Sequence, residues 1–271
     1  MAPLPVPADW RGLGARIASA VILAPPVVAA LYVGTPYSDI LITAVATIAA
    51  WEWARLCRAG KSDSTTTALI VTVVAAAVMA SFGAYDLGAW IIALGGMATL
   101  FLGSREDPAR APWLAAGAVY LGTACMALLW LRADPLHGRA IVFWLLFVVW
   151  ATDIGAYAAG RLIGGPRLAP SFSPKKTWAG LIGGAVAAAA VGLVTAAVLD
   201  GEPLSWAGLS AALALVGQVG DLFESALKRH FGAKDSGALI PGHGGVLDRI
   251  DGLLAVSLVV AGLTWGRGIF D

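Results

Sequence analysis

Charge is what this sequence has least of. Only 13% of its residues are Asp, Glu, Lys or Arg, against 59% that are hydrophobic. Ordinary soluble domains carry about 25% charged residues, so an ordinary soluble globular domain is excluded. Net charge is +1, which removes any bulk electrostatic case for binding nucleic acid. Cysteine is nearly absent: Cys57 and Cys125 lie far apart in apolar runs, with neither metal-ligand spacing nor a disulfide framework, and they read as packing residues. Histidine is equally sparse, with three in the chain and no pair at zinc-ligand spacing. No GxxxxGK[ST], HExxH or GxSxG occurs, which excludes a Walker-type nucleotide site, a zincin and a nucleophile elbow. There is no repeat of 20 to 50 residues and no low-complexity linker.

What remains is apolar and long. A membrane-spanning helix needs about 20 mostly apolar residues. Nine stretches qualify, at 17–34, 38–56, 66–83, 87–103, 112–131, 140–160, 179–199, 204–224 and 252–269. Residues 1–271 therefore read as a single all-α transmembrane domain, a polytopic bundle of about nine helices. Arg11 and Arg16 precede the first stretch, which Pro25-Pro26 interrupts; it reads as a first retained span rather than a cleaved signal. Loop charges support the count. With the N-terminus cytoplasmic, fifteen of the eighteen Lys and Arg residues fall on the cytoplasmic side, and only Arg132, Arg139 and Arg267 fall opposite. That orientation puts both long polar loops, 161–178 and 225–251, in the cytoplasm.

The loop Ser225–Asp251 is the longest polar stretch. It carries Lys228, Arg229, Lys234 and Arg249 together with Asp235, Asp248 and Asp251. Asp221, Glu224, Ser225 and Lys228 are spaced i, i+3, i+4, i+7, so they share one face if the eighth helix continues to Lys228. Asp248 and Asp251 repeat the i, i+3 spacing. Paired carboxylates from both ends of a loop suit a hard dication such as Mg²⁺, and solvated or mutually paired charges are the alternative. His243-Gly244-Gly245 is either a plain turn or a phosphate-binding one. Lys175 and Lys176, in Ser173-Pro174-Lys175-Lys176-Thr177-Trp178, suit polyphosphate or anionic headgroups. Four acids lie within the apolar runs: Glu52, Asp153 and, at the end of the eighth, Asp221 and Glu224. Intramembrane acids are functional candidates, although Glu52, between Trp51 and Trp53, can equally pair with Arg55 or a backbone group.

These elements together resemble the phosphatidate cytidylyltransferases, the CDP-diacylglycerol synthases. The resemblance rests on Ser225, Leu227-Lys228-Arg229, Lys234-Asp235, Gly237, Pro241, His243-Gly244-Gly245, Asp248-Arg249 and Asp251, all within 27 residues. Upstream, Asp153-Ile154-Gly155-Ala156-Tyr157, Gly160-Arg161 and the Ser173–Trp178 run are also similar to the family. One departure stands out: Ala179 occupies a position where the family usually has Glu. The resemblance implies a nucleotidyltransferase of the inner membrane, with its active site facing the cytoplasm, often a homodimer. Its substrates would be CTP and phosphatidate, its products CDP-diacylglycerol and pyrophosphate, and its cofactor Mg²⁺, with K⁺ beside it. Carried over residue by residue, Asp221 and Asp248 become metal ligands, with Glu224, Asp251 and Asp153 as further candidates. Ser225 and Lys228 join the two aspartates in the catalytic group. Lys175, Lys176, Arg229, Lys234, His243, Gly244, Gly245 and Arg249 become phosphate-binding residues. A CTP-dependent lipid-alcohol kinase and a secondary transporter using Asp153, Asp221 and Glu224 are the rival readings.

Overall fold

Apolar runs in this chain are rich in Ala, Leu and Val and contain few breaking residues, so helix is what they form. A computed structural model describes residues 10–58, 63–240 and 244–265. Nine α-helices lie among them: α1 Trp10–Val33, α2 Tyr37–Arg58, α3 Ser64–Ser81, α4 Tyr85–Glu106, α5 Ala111–Ala133, α6 Gly138–Leu162, α7 Trp178–Val198, α8 Pro203–His230 and α9 Leu247–Thr264. Each coincides with one of the nine stretches expected from the sequence. Seven of them, α2 to α8, are long and apolar enough to cross a membrane. The short ninth helix opens on Asp248, Arg249 and Asp251, which leaves only its later part apolar. Lys61 and Arg267, used in the charge count, lie outside the described residues.

Large apolar side chains face outward all round the bundle, among them Trp90, Val186 and Val219, each 65% exposed. Exposed apolar area on that scale suits contact with lipid rather than water. Inside, small residues let backbones approach closely, as membrane helix pairs require. A Cβ on Gly155 of α6 would stand 2.6 Å from the Gly183 carbonyl oxygen of α7, and one on Gly183 would stand 2.3 Å from the Ala159 Cβ. A Cβ on Gly220 of α8 would likewise lie 2.8 Å from the Asp251 carbonyl oxygen of α9. This second crossing brings the acidic ends of α8 and α9 together. Both cysteines are buried in the packed interior.

Polar groups sort to the two ends of the bundle. At one end Arg58 pairs with Asp63 and, at 3.4 Å, with Glu106, which also accepts from Thr65 at 2.7 Å. At the other end Arg132 Nε donates to the Leu31 carbonyl at 2.9 Å, satisfying an orphan acceptor at the C-terminus of α1. Glu202 caps α8 there, accepting from the Leu204 and Ser205 backbone. Hydrogen bonds from the Ser205 side chain and these N–H groups hold its carboxyl below the usual range.

The 161–178 loop is more ordered than the sequence suggested. It folds into an antiparallel hairpin, β1 Arg167–Ala169 against β2 Ser173–Thr177, with Arg167 opposite Thr177 and Ala169 opposite Ser173. Pro170, Pro174 and adjacent lysines conceal so short a pair from any periodicity test. The hairpin ends where α7 begins: Thr177 is the N-cap, its Oγ1 accepting from the Gly180 N–H at 3.0 Å.

Candidate functional site

Helix α8 runs on past the apolar stretch to His230, so Asp221, Glu224, Ser225 and Lys228 do lie on consecutive turns of one helix. Ser225 Oγ donates to Asp221 Oδ1 at 3.2 Å. Lys228 Nζ lies 3.1 Å from Glu224 Oε1 and 2.6 Å from Asp248 Oδ1, bridging α8 to the start of α9. The side chains of Glu224 and Asp248 are only 3% and 6% exposed, so Lys228 neutralises two buried carboxylates. Lys228 is the cationic partner of Glu224 Oε1, and Glu224 Oε2 meets no donor among the described residues.

Asp248 is held on its other side by the loop itself. Its Oδ2 accepts from the Ser236 N–H at 3.0 Å and the Gly245 N–H at 2.9 Å. Gly244 just before it has φ +84°, a conformation that favours glycine, and exchanges two backbone hydrogen bonds with Ile240. The i, i+3 spacing of Asp248 and Asp251 does not send them to one place. Asp251 instead shares a pocket with Asp221 and, from α6, Asp153, together with Thr152 and Gln218. The second polar segment reaches the same spot, since Lys176 Nζ of β2 lies 2.7 Å from Asp221 Oδ2. Arg229 ties the two loops together, donating to the Phe172 carbonyl at 3.4 Å and the Ala233 carbonyl at 3.2 Å. Lys175, Lys234 and Arg249, on the same two loops, are exposed. His243 lies outside the described residues.

The arrangement pairs an acidic pocket with a cationic rim. Asp153, Asp221 and Asp251 supply oxygen donors, the type that Mg²⁺ takes, and the buried Glu224 carboxylate is short of partners. No group of three His, Cys, Asp or Glu side chains stands ready to hold a metal among the described residues. The donor set thus fits a dication bound through one or two carboxylates and completed by water and phosphate oxygens, which is the habit of Mg²⁺. Asp221 and Asp248 each meet a lysine here, Lys176 and Lys228 respectively.

Sequence reasoning reached one residue central to this geometry in part and missed another. Glu52 was visible as an intramembrane acid, and of the two partners expected for it, Arg55 or a backbone group, the backbone is the one found, although which backbone was not legible. It does not pair with Arg55, whose guanidinium lies over the Trp51 ring at 4.6 Å. It accepts backbone N–H groups of the signature loop instead: Val246 at 3.0 Å and Leu247 at 2.8 Å. Ser236, buried in the loop, carried no distinguishing sequence signal at all.

A sequence model described as the cytidylyltransferase family matches residues 14–265. The chain belongs to this family. The match covers both polar loops and every site residue described above. Curated proteins named phosphatidate cytidylyltransferase are similar to it. One from Brucella suis is 53% identical over 150 residues, covering 55% of this chain and 55% of that protein. One from Staphylococcus saprophyticus is 44% identical over 139 residues, covering 51% and 52%. One from Staphylococcus aureus is 42% identical over the same length. The matched stretch spans about half the length of these relatives.

Proposed function

We propose that this protein transfers the cytidylyl group of CTP to phosphatidate, giving CDP-diacylglycerol and pyrophosphate. The observation that carries the reading is the meeting of two polar segments at one acidic pocket, with Lys176 of the hairpin on Asp221 of α8. Membership of the cytidylyltransferase family and the names of the relatives support it. The lysine- and arginine-rich loop ends support a cytoplasmic site, by the fifteen-to-three distribution of basic residues. The reading includes a homodimer, carried by the family resemblance alone.

The nucleophile is a phosphate oxygen of the lipid, already ionised near neutral pH. It attacks the α-phosphorus of CTP; a new P–O–P linkage forms, the bond from that phosphorus to the bridging α–β oxygen breaks, and the electron pair leaves with pyrophosphate. The chemical obstacle is the approach of two polyanions, so positioning and charge neutralisation supply most of the catalysis. Lys175, Lys176, Arg229, Lys234 and Arg249 bind phosphates at the rim. Lys228 holds Asp248 and Glu224 in place from between them. Asp221 and Asp248, with Asp251, Asp153 and Glu224 beside them, are the residues that would hold Mg²⁺. When bound, that ion would neutralise charge on the nucleotide phosphates and the leaving group. Acyl chains stay in the bilayer, which the apolar flanks of the bundle face.

The test uses purified protein in mixed micelles with phosphatidate, labelled CTP and Mg²⁺. Labelled lipid and pyrophosphate should appear together, only with phosphatidate, and stop when EDTA removes the metal. Transfer to diacylglycerol instead would identify a lipid kinase, and no CTP binding with cation-driven flux would identify a transporter. Lys228→Ala should lose activity and stability together. It leaves two buried carboxylates without a counter-charge, a change that typically costs about 3–5 kcal/mol. Lys228→Arg should keep the fold in thermal unfolding while phosphate transfer still falls; wild-type turnover by Lys228→Ala would remove Lys228 from the site.

A further inference from the structure

Glu52 is not among the residues lining the acidic pocket, yet it touches the segment that builds the site. It sits near the end of α2 with no exposed surface. Its neighbour Trp53 fixes that part of α2: the indole Nε1 donates to the Trp113 carbonyl of α5 at 2.9 Å, and the ring packs against Phe223 of α8. From this anchored position both Glu52 oxygens accept hydrogen bonds. Oε1 takes the Val246 N–H at 3.0 Å; Oε2 takes the Leu247 N–H at 2.8 Å and the Ser236 hydroxyl at 3.2 Å. All three donors lie 184 to 195 residues away in sequence.

Val246 and Leu247 are the N-cap and first residue of α9, which has no side-chain cap of its own. A buried carboxylate from another helix takes over the capping role, where the helix dipole favours negative charge. Ser236 holds Asp248 Oδ2 through its own N–H while its hydroxyl holds Glu52. One carboxylate thus fixes both strands of the loop around Asp248 and sets the start of the helix that presents Asp248 and Asp251. Space around it is filled. A Cβ on Gly237 would fall 2.4 Å from Glu52 Oε1, and one on Gly245 would fall 2.6 Å from Oε2. The absence of side chains at these two loop positions is what lets the carboxylate in.

We infer that Glu52 is a positioning residue for cytidylyl transfer: a rivet between the membrane bundle and the signature loop that holds Asp248 and Asp251 in register with Asp221. The inference rests on the proposed function, and its test separates the two. Glu52→Gln retains size but replaces one acceptor oxygen by an NH₂ donor, which then faces either the Val246 N–H or the Leu247 N–H and Ser236 hydroxyl. In wild type, product formation in the micelle assay checks the function itself. In Glu52→Gln, kcat/KM should fall roughly 10–100-fold, as for other residues that orient a site without touching substrate. Hydrogen exchange followed by mass spectrometry should show faster exchange in the peptides covering 236 and 245–247, with α3–α5 peptides unchanged. Gly237→Ala should reproduce both effects by crowding Oε1, and Ser236→Ala should produce weaker versions. If loop exchange stays at the wild-type rate, or rises without a loss of activity, the positioning role is wrong. Acceleration throughout the bundle in both Glu52→Gln and Gly237→Ala would reduce Glu52 to a general fold residue and also overturn it.

Discussion

Asp248→Asn should reduce transfer by at least ~100-fold, the scale on which losing one preorganised electrostatic group acts, in a protein that still inserts and folds. The reason is that both oxygens of Asp248 are committed as acceptors. Oδ1 meets the Lys228 ammonium, and Oδ2 meets the N–H groups of Ser236 and Gly245. An asparagine has one oxygen and one NH₂ group, so either orientation sets donor against donor. With the amide towards Lys228, the lysine keeps only Glu224. With the amide towards the loop, Ser236 and Gly245 lose their acceptor and the loop loosens. Both orientations also remove the negative charge proposed to help hold Mg²⁺. The check is turnover in micelles, alongside membrane yield and a thermal unfolding curve. A well-folded Asp248→Asn protein with near-normal turnover would remove Asp248 from the mechanism. A loss of turnover matched by collapse of the fold would reassign it to stability.

How much of this was readable in the sequence follows the range of the interactions. Helices at all nine positions were legible, since an apolar run of spanning length leaves the backbone little choice in lipid. The one-face placement of Asp221, Glu224, Ser225 and Lys228 was legible too, because helical spacing is a local property. The partners within that face were less so. Spacing suggested two acid pairs meeting across the loop. The structure brings Asp221 together with Asp251 and Asp153, and Glu224 together with Asp248 through Lys228. Which way Asp248 points depends on N–H groups of Ser236 and Gly245, and no side-chain pattern records those. The hairpin at 167–177 was hidden by its brevity and its prolines. Glu52 shows the limit most plainly: its flanking tryptophans are local, but its three donors come from the other end of the chain. Ala179, the departure noted in the resemblance, lies in the first turn of α7, where a carboxylate would favour the helix start.

Asp221→Asn is the substitution that most directly separates the metal proposal from a purely structural account of the pocket. Asp221 is tied to Ser225 through Oδ1 and to Lys176 through Oδ2, and it shares the pocket with Asp153 and Asp251. Among the described residues this ion pair is what fixes the Lys176 ammonium. Three acids around one pocket repel one another, and a dication would relieve that repulsion more fully than the single Lys176 contact with Asp221. Removing the Asp221 charge therefore acts twice, weakening the dication's hold and releasing Lys176 from its position. The expected outcome is a fall in kcat/KM of about 100-fold or more. The half-saturating Mg²⁺ concentration should rise by about 10-fold or more. Mn²⁺ binding followed by electron paramagnetic resonance supplies a readout that does not depend on turnover, and it should weaken in parallel. Lys176→Ala is the contrasting variant: it loses phosphate binding but leaves Asp221 open, so its Mn²⁺ affinity should hold or increase while turnover falls. If Asp221→Asn loses activity with Mn²⁺ binding unchanged, Asp221 serves to place Lys176, and the dication belongs with Asp248 and Glu224 on the other side of Lys228.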